Sequence, residues 1–323
     1  MRDATHGLDI HYAFRDDPGN GHYAYLQPSG TWGYSNAGLV VDGDQSLLVD
    51  TLFDEHLTRE MLTAMKDATG LGGGDITTLV NTHANGDHTF GNGLITHAEI
   101  IASEASAREI DEQPPEMLAQ FVKMAPQLGE AGEYLLKAFG PFDFDGIKMR
   151  KPTKLFHGAL DIKVGDKTVK LVEVGPAHTH GDVLAYVPED KVVYTGDILF
   201  IDGTPIMWAG PVKNWIKACN MIIDWDVDAI VPGHGPITDK AGVARMRDYL
   251  IYVDQEARRR YDAGMSVEEA AFDISIGDYD AWDSPERIVA NVNTLFSEYG
   301  GGDGLGTDAL MALMAKMYYD RRR

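Results

Sequence analysis

The chain carries one cysteine, Cys219, in 323 residues. That excludes an internal disulfide and argues against a thiolate-built metal site, and the residue reads as a small half-buried hydrophobe. Long apolar runs are missing too. No stretch approaches the roughly 20 residues that a membrane-spanning helix needs, so no membrane role is expected. The amino-terminal "MRDATHGLDIHYAFRDD" scatters charge where an export signal would place an apolar segment, and a cytoplasmic protein is expected. Positive charge is scarce: Lys and Arg number 28 against 50 Asp and Glu, a net charge of -22. Such a surface repels phosphate backbones at long range, which argues against a nucleic-acid partner. The single basic cluster, the terminal "YYDRRR", reads as a solvated tail.

Apolar side chains, by contrast, are sufficient for a large core, at 44% hydrophobic residues over this length. One catalytic domain with additions is expected. Two apolar runs in "SNAGLVVDGDQSLLVDT" flank the turn at Asp42-Gly43-Asp44 and predict a hairpin. Leu57, Met61, Leu62 and Met65 fall at helical spacing, with Gly70 as a stop. "ITTLVNTH" and "AEIIAS" read as short strands, and the alternation of strand and helix predicts a layered α/β fold. Residues 103 to about 140 turn helical, with a stripe of Met117, Phe121, Met124, Leu128, Leu135 and Leu136 broken at Pro126. The stripe reads as core packing, in an insertion that also overhangs a pocket. Hairpins return from residue 157, "NWIKACNMIIDWDVDAIVPGHGP" reads as helix then strand, and 239 to 323 is mostly helical, with Ser284-Pro285 as a helix start.

Four strands in this pattern end in a loop that carries histidine or aspartate. "LVNTHANGDH" supplies His83, Asp87 and His88; "LVEVGPAHTHGD" supplies His178; "VVYTGDILF" supplies Asp197; "AIVPGHGP" supplies His234. Side chains at the ends of packed strands are held rigidly, and the neighbouring glycines let the backbone turn close to a cation. Imidazole and carboxylate without thiolate suit zinc, iron or manganese, and positions left to water make such a site catalytic.

In this order the four loops resemble the metallo-β-lactamase superfamily: H-x-H-x-D-H at 83 to 88, "PAHTHGD", "TGDILF" and "PGHGP", over roughly residues 20 to 240. The resemblance implies an αββα sandwich of two mixed β-sheets flanked by helices. The catalytic domain would be residues 1–240, with a helical insertion at about 103–150, and residues 241–323 a helical carboxy-terminal extension packed on it. It implies two metals, one held by His83 and His178, the other by Asp87, His88 and His234, with Asp197 bridging and Asp50 behind them as a supporting carboxylate.

The second histidine of the motif is replaced by Asn85. An amide oxygen is a neutral, weaker donor than imidazole. Either the second site holds the tighter metal and the first binds less tightly, or His83, His178 and Asp197 form the two-histidine, one-carboxylate face that suits iron. His180 stands close enough in sequence to be considered for the missing nitrogen. The expected activity is that of a zinc hydrolase, with a metal-bound hydroxide attacking an ester, thioester, lactone or amide carbonyl of a small molecule. Asp87 would be both ligand and orienting acceptor, and Trp32, Tyr34, Met207 and Trp208 would form apolar walls. The alternatives are non-hydrolytic chemistry on the same scaffold, an iron oxygenase or a polyketide-cyclase-like enzyme, and last a binding protein with a degenerate site. Homo-oligomerisation stays open.

Overall fold

The computed structural model describes residues 10–12, 20–28 and 31–323. Most of the amino-terminal stretch read for an export signal lies outside the described residues. A first sheet sets β1 (Ile10–Tyr12), β2 (His22–Tyr25), β3 (Ala37–Asp42), β4 (Gln45–Val49), β5 (Thr78–Val80), β6 (Glu99–Ser103) and β7 (Lys154–Phe156) side by side in chain order. Pairing is antiparallel as far as β4 and parallel beyond it. A second sheet runs through β8 (Ala159–Val164), β9 (Lys167–Glu173), β10 (Val183–Val187), β11 (Val192–Tyr194) and β12 (Ala229–Val231), with β11 and β12 parallel. Both sheets are mixed, as the resemblance implied.

Side-chain alternation explains why the sheets face each other. Along β3 to β6, Val40, Leu47, Val49, Val80 and Ile101 point into one apolar layer together with Val169, Leu171, Val183 and Ala185 of the second sheet. The intervening Leu39, Leu48, Leu79 and Ile100 point the other way, into a second layer. A period of two delivers successive residues to opposite faces, so strands buried on both sides read as continuous apolar runs.

Helices cover the outer faces. On the first sheet lies α1 (Glu55–Thr69), which begins where Asp54 accepts the Leu57 N–H at 2.8 Å and stops at Gly70 with φ of 81°. A short helix, α2 (Gly86–Thr89), carries the ligand motif. The stretch expected to be an insertion holds α3 (Glu104–Glu112), α4 (Pro115–Met124) and α5 (Gly129–Phe139), and the break expected at Pro126 is a 3-10 turn between the last two. It is no loose excursion. Leu135, Phe139, Phe142 and Phe144 pack in the same layer as Phe53 of the first sheet's helical side, while Met117, Met124 and Leu128 stay partly exposed.

The second sheet is covered by α6 (Val212–Asp224), α7 (Lys240–Asp262), α8 (Val267–Asp273), α9 (Ile288–Glu298) and α10 (Thr307–Asp320). Trp215, Tyr249, Leu250, Val292, Leu295 and Met314 share one buried cluster with Leu184, Val193 and Ile230 of the strands. Among the described residues no helix is long and apolar enough to cross a membrane.

Candidate metal centre

The loops expected to bear ligands all leave the same ends of the two sheets. His83 follows β5, Asp197 lies in the turn after β11, His234 follows β12, and His178 sits in the loop between β9 and β10. Glycine permits the close approach: a Cβ on Gly233 would lie 2.0 Å from Asp197 Oδ1, and one on Gly196, at φ of 49°, 2.3 Å from Thr82 Oγ1.

Each of the four histidines has its Nδ1 engaged, which fixes where the other nitrogen points. His178 Nδ1 donates to Ile206 O at 2.6 Å and His234 Nδ1 to Tyr34 O at 2.8 Å, since a carbonyl can only accept. His88 Nδ1 meets Asp50 Oδ2 at 2.9 Å. Thr82 Oγ1 donates to the same Asp50 Oδ2 at 2.6 Å, so at 3.0 Å it accepts from His83 Nδ1. Asp50 also accepts the Thr82 N–H at 2.7 Å. One buried carboxylate therefore orients two imidazoles, one directly and one through a hydroxyl, and all four rings turn Nε2 inward.

The inward nitrogens converge on Asp197. Its Oδ1 is 3.1 Å from His88 Nε2, and its Oδ2 is 3.2 Å from His234 Nε2, 3.4 Å from His178 Nε2 and 3.7 Å from His83 Nε2. Asp87 Oδ2 lies 3.4 Å from His234 Nε2 and 3.6 Å from His88 Nε2. Among the described residues, His83 Nε2, His88 Nε2 and Asp197 Oδ1 are buried without a well-directed hydrogen bond, the last two meeting at 3.1 Å only as a charge contact. Three orphaned polar atoms in one spot would be expensive to bury unless a cation meets them. Among the described residues, two groups could hold one: His83, His88 and Asp197, and Asp87, His88 and His234, each with its candidate atoms within 4.8 Å of one another. The residues present thus fit a metal.

Charge is strongly coupled here. Burial pushes the His83 and His178 pKa values down. At His88 burial acts in the same direction, but Asp197, Asp87 and Asp50 overcome it and hold the ring well above its ordinary range. His234 is likewise carried against burial, by Asp197 and Asp87, up to about 9. Burial would raise Asp197, yet His234, His88 and His83 hold it well below the usual carboxylate range.

Asn85 faces the first of the expected sites, its Oδ1 2.8 Å from His178 Nε2. A neutral His178 that spends its proton at Nδ1 offers only a lone pair at Nε2, so the amide must either present its NH2 or share a cation with the ring. His180 is turned away. Its ring is exposed and pairs with Glu109 at 2.5 Å, so it supplies no nitrogen to this centre in the structure. The turn around it is held instead by buried Asp182, which accepts from Thr179 N and Oγ1.

Beside these histidines and carboxylates lies a cavity of about 420 Å3. Trp32 and Trp208 line it, along with Phe53, Phe121, Phe139 and Phe200. Of the other two expected walls, Tyr34 meets Phe142 edge to face and lends its carbonyl to His234, and Met207 is buried beneath, its N–H donated to Asn291 Oδ1. The insertion contributes Glu109, Glu112, Met117 and Leu118, and the carboxy-terminal helices contribute Arg287, Thr307 and Met311. The sequence reading missed Arg287; its only local signal was the helix start at Ser284-Pro285, which says nothing of a cavity.

A family model described as the metallo-beta-lactamase superfamily matches residues 30–234. The Beta-lactamase-like protein 2 homolog of Caenorhabditis elegans is 23% identical over 216 residues, 67% of this chain and 60% of that protein. The stereoselective inverting sec-alkylsulfatase Pisa1 from Pseudomonas sp. superposes with a TM-score of 0.66 at 17% identity, over 90% of this chain and 50% of that one. A metallo-beta-lactamase from Pontibacter korlensis does so with 0.55 at 17% identity, over 76% and 99%. The chain thus spans only about half of the sulfatase and 60% of the curated relative.

Proposed function

Because the chain belongs to the metallo-β-lactamase superfamily, we propose that it is a metal-dependent hydrolase acting on an ester, thioester, lactone or amide carbonyl of a small apolar molecule. The observation that carries this reading is the convergence of four anchored imidazoles and two carboxylates, with orphaned inward atoms, at the wall of an aromatic cavity. Asp87, His88 and His234 would hold one metal, and His83 and His178, with Asn85 in place of a histidine, the other; Asp197 would serve both. Zinc suits the nitrogen and oxygen donors. When bound, such a cation supplies Lewis acidity, bringing the pKa of water toward ~7 and polarising the substrate carbonyl.

The chain's own groups do the rest. Asp50 and Thr82 keep His88 and His83 in the tautomer that offers Nε2. Asp87 Oδ2, beside His234 and His88, would accept a proton from the attacking water and pass it to the leaving group, as the carbonyl carbon gains the water oxygen and releases the leaving oxygen, sulfur or nitrogen. The aromatic walls exclude bulk water and bind the apolar part of the substrate.

The test is turnover of aryl esters, a thioester, a lactone and an amide by zinc-loaded protein, beside Asp197→Ala. Hydrolysis that the substitution abolishes supports the reading; no turnover of any member sinks it. A second reading rests on one observation: His83, His88 and Asp197 form a two-histidine, one-carboxylate group of the kind that suits iron(II), with His178 engaged by Asn85. Iron bound at one equivalent would favour it.

A further inference from the structure

Arg287 enters the cavity from the turn that precedes α9, outside the stretch that matches the family model. Its side chain is 5% exposed, and its guanidinium carbon lies 4.9 Å from the Trp32 ring centre and 5.6 Å from that of Phe200. Phe200 in turn stacks flat on His234, with 4.9 Å between centroids, so the cation sits one aromatic ring away from a metal-ligating candidate.

A buried guanidinium ordinarily fills its fork of five donors. Here Nη1 donates to Thr204 O at 3.1 Å and Nε is buried with no partner among the described residues. The adjacent carboxylate does not supply one: Glu286 accepts from Tyr134 Oη at 3.0 Å through Oε1, and its Oε2 has no partner. Burial works against the charge of the arginine, and Tyr134, Glu286, Asp197 and Asp87 favour it only through space. A purely structural arginine between two rings would leave neither a donor idle nor a charge without a contacting anion, because both are costly in a low-dielectric wall. In a chain of net charge -22, a cation kept this way is unusual in sign as well as in pairing.

We propose that Arg287 is the anchor for an anionic oxygen group, a carboxylate or sulfo group, on the substrate or product, and that the preferred ligand is therefore an apolar molecule ending in a negative charge. Two fixed points would then orient it, the metal group at the reacting carbonyl and the guanidinium at the charged end, with Trp32 and Phe200 against the chain between them. A planar guanidinium suits both oxyanions through parallel N–H donors. Tyr134 occupies one oxygen of Glu286, and the Thr204 carbonyl holds one end of the guanidinium. The inference rests on the hydrolase reading for what reacts, but ligand binding tests it without turnover.

The experiment is calorimetric titration of zinc-loaded wild type, Arg287→Gln and Arg287→Lys with 1-hexanesulfonate, hexanoate and 1-hexanol. Wild type should bind either anion at least ~10-fold more tightly than the alcohol, and Arg287→Gln should lose most of that ratio, as expected when a charge-assisted contact is removed. Arg287→Lys, which keeps the charge and loses the fork, should fall between. Direct coordination of an anion by zinc contributes to the ratio in every protein alike, so it cancels when the ratio of wild type is compared with that of a variant, and the change in ratio is the reading that tests Arg287. Loss of the ratio for hexanoate alone identifies a carboxylate, and for hexanesulfonate alone a sulfo group. Equal affinity for anion and alcohol in wild type overturns the proposal even if the glutamine variant does not fold. So does a variant that weakens anion and alcohol alike, which is what a structural pillar would do. Failure of the hydrolase reading would show separately, as absent turnover with the anion preference intact.

Discussion

Asp50→Asn should weaken metal binding about 10- to 100-fold while leaving the ligands themselves untouched, the size of effect usual when a group behind a ligand is lost. The substitution is nearly isosteric. Asp50 has φ of 64°, a left-handed conformation that asparagine tolerates as well as aspartate, so no backbone strain is added. Asn Oδ1 can still accept the Thr82 N–H, but the amide NH2 would take the place of Oδ2 and confront two donors, Thr82 Oγ1–H and His88 Nδ1–H. His88 then gains a hydrogen bond only by moving its proton to Nε2, the atom that must stay bare to bind a cation. Two lost bonds to a charged acceptor cost about 1.5 kcal/mol each. Burial opposes ionisation of Asp50, so removing its charge offsets part of that, and metal-free protein should lose roughly 1–3 kcal/mol. The assay is zinc competition against a chromophoric chelator, with urea unfolding of the stripped protein beside it. An Asp50→Asn variant that binds zinc as wild type does would show that the carboxylate does not hold His88 for a metal.

Asn85→His should tighten the weaker zinc in a stepwise chelator titration, because imidazole replaces an amide opposite His178; two equally tight metals in wild type, unchanged by the substitution, would contradict the asymmetry. Asp197→Ala should lower metal content more than His234→Ala, since four Nε2 atoms face that one carboxylate, and metal analysis of the two variants decides it. Phe121→Ala, in the insertion, should raise KM roughly 10-fold through lost apolar contact with metal content unchanged; a loss of metal would mean that α4 supports the centre itself. Away from the site, burial lowers the His22 pKa against the pull of Asp190, with Lys167 assisting and Tyr194 at 3.3 Å. The ring is then neutral in the fold and protonated in the unfolded chain below about 6.5, so stability is lost as pH falls through that value. His22→Gln should flatten the fall of Tm between pH 7.5 and 5, and parallel wild-type and variant curves would refute the assignment.

Much of this was legible because it is local. The period of two along β3 to β6 and the His/Asp endings of the strands are written in consecutive residues, and the resemblance joined them into two sheets around one centre. Asp50 came only through the resemblance, since an aspartate that closes an apolar strand carries no ligand signal of its own. What stayed hidden depends on distant backbone. Trp32 and Trp208 meet at 6.2 Å from opposite parts of the chain, while Tyr34 and Met207, equally apolar and close to them in sequence, are turned into other contacts. His180 stands two residues from His178, yet the loop sends it outward to Glu109 of α3. Arg287 is invisible to any ligand motif, since only the packing of the carboxy-terminal helices against the second sheet brings it to the cavity.

The most direct test of the metal centre is elemental analysis of protein purified without added metal, read together with activity before and after chelation. The account expects close to two zinc per chain, one removed before the other, and loss of ester or lactone turnover that zinc restores. Protein that carries no metal and takes up none, with His83, His88, His178 and His234 intact, would contradict it.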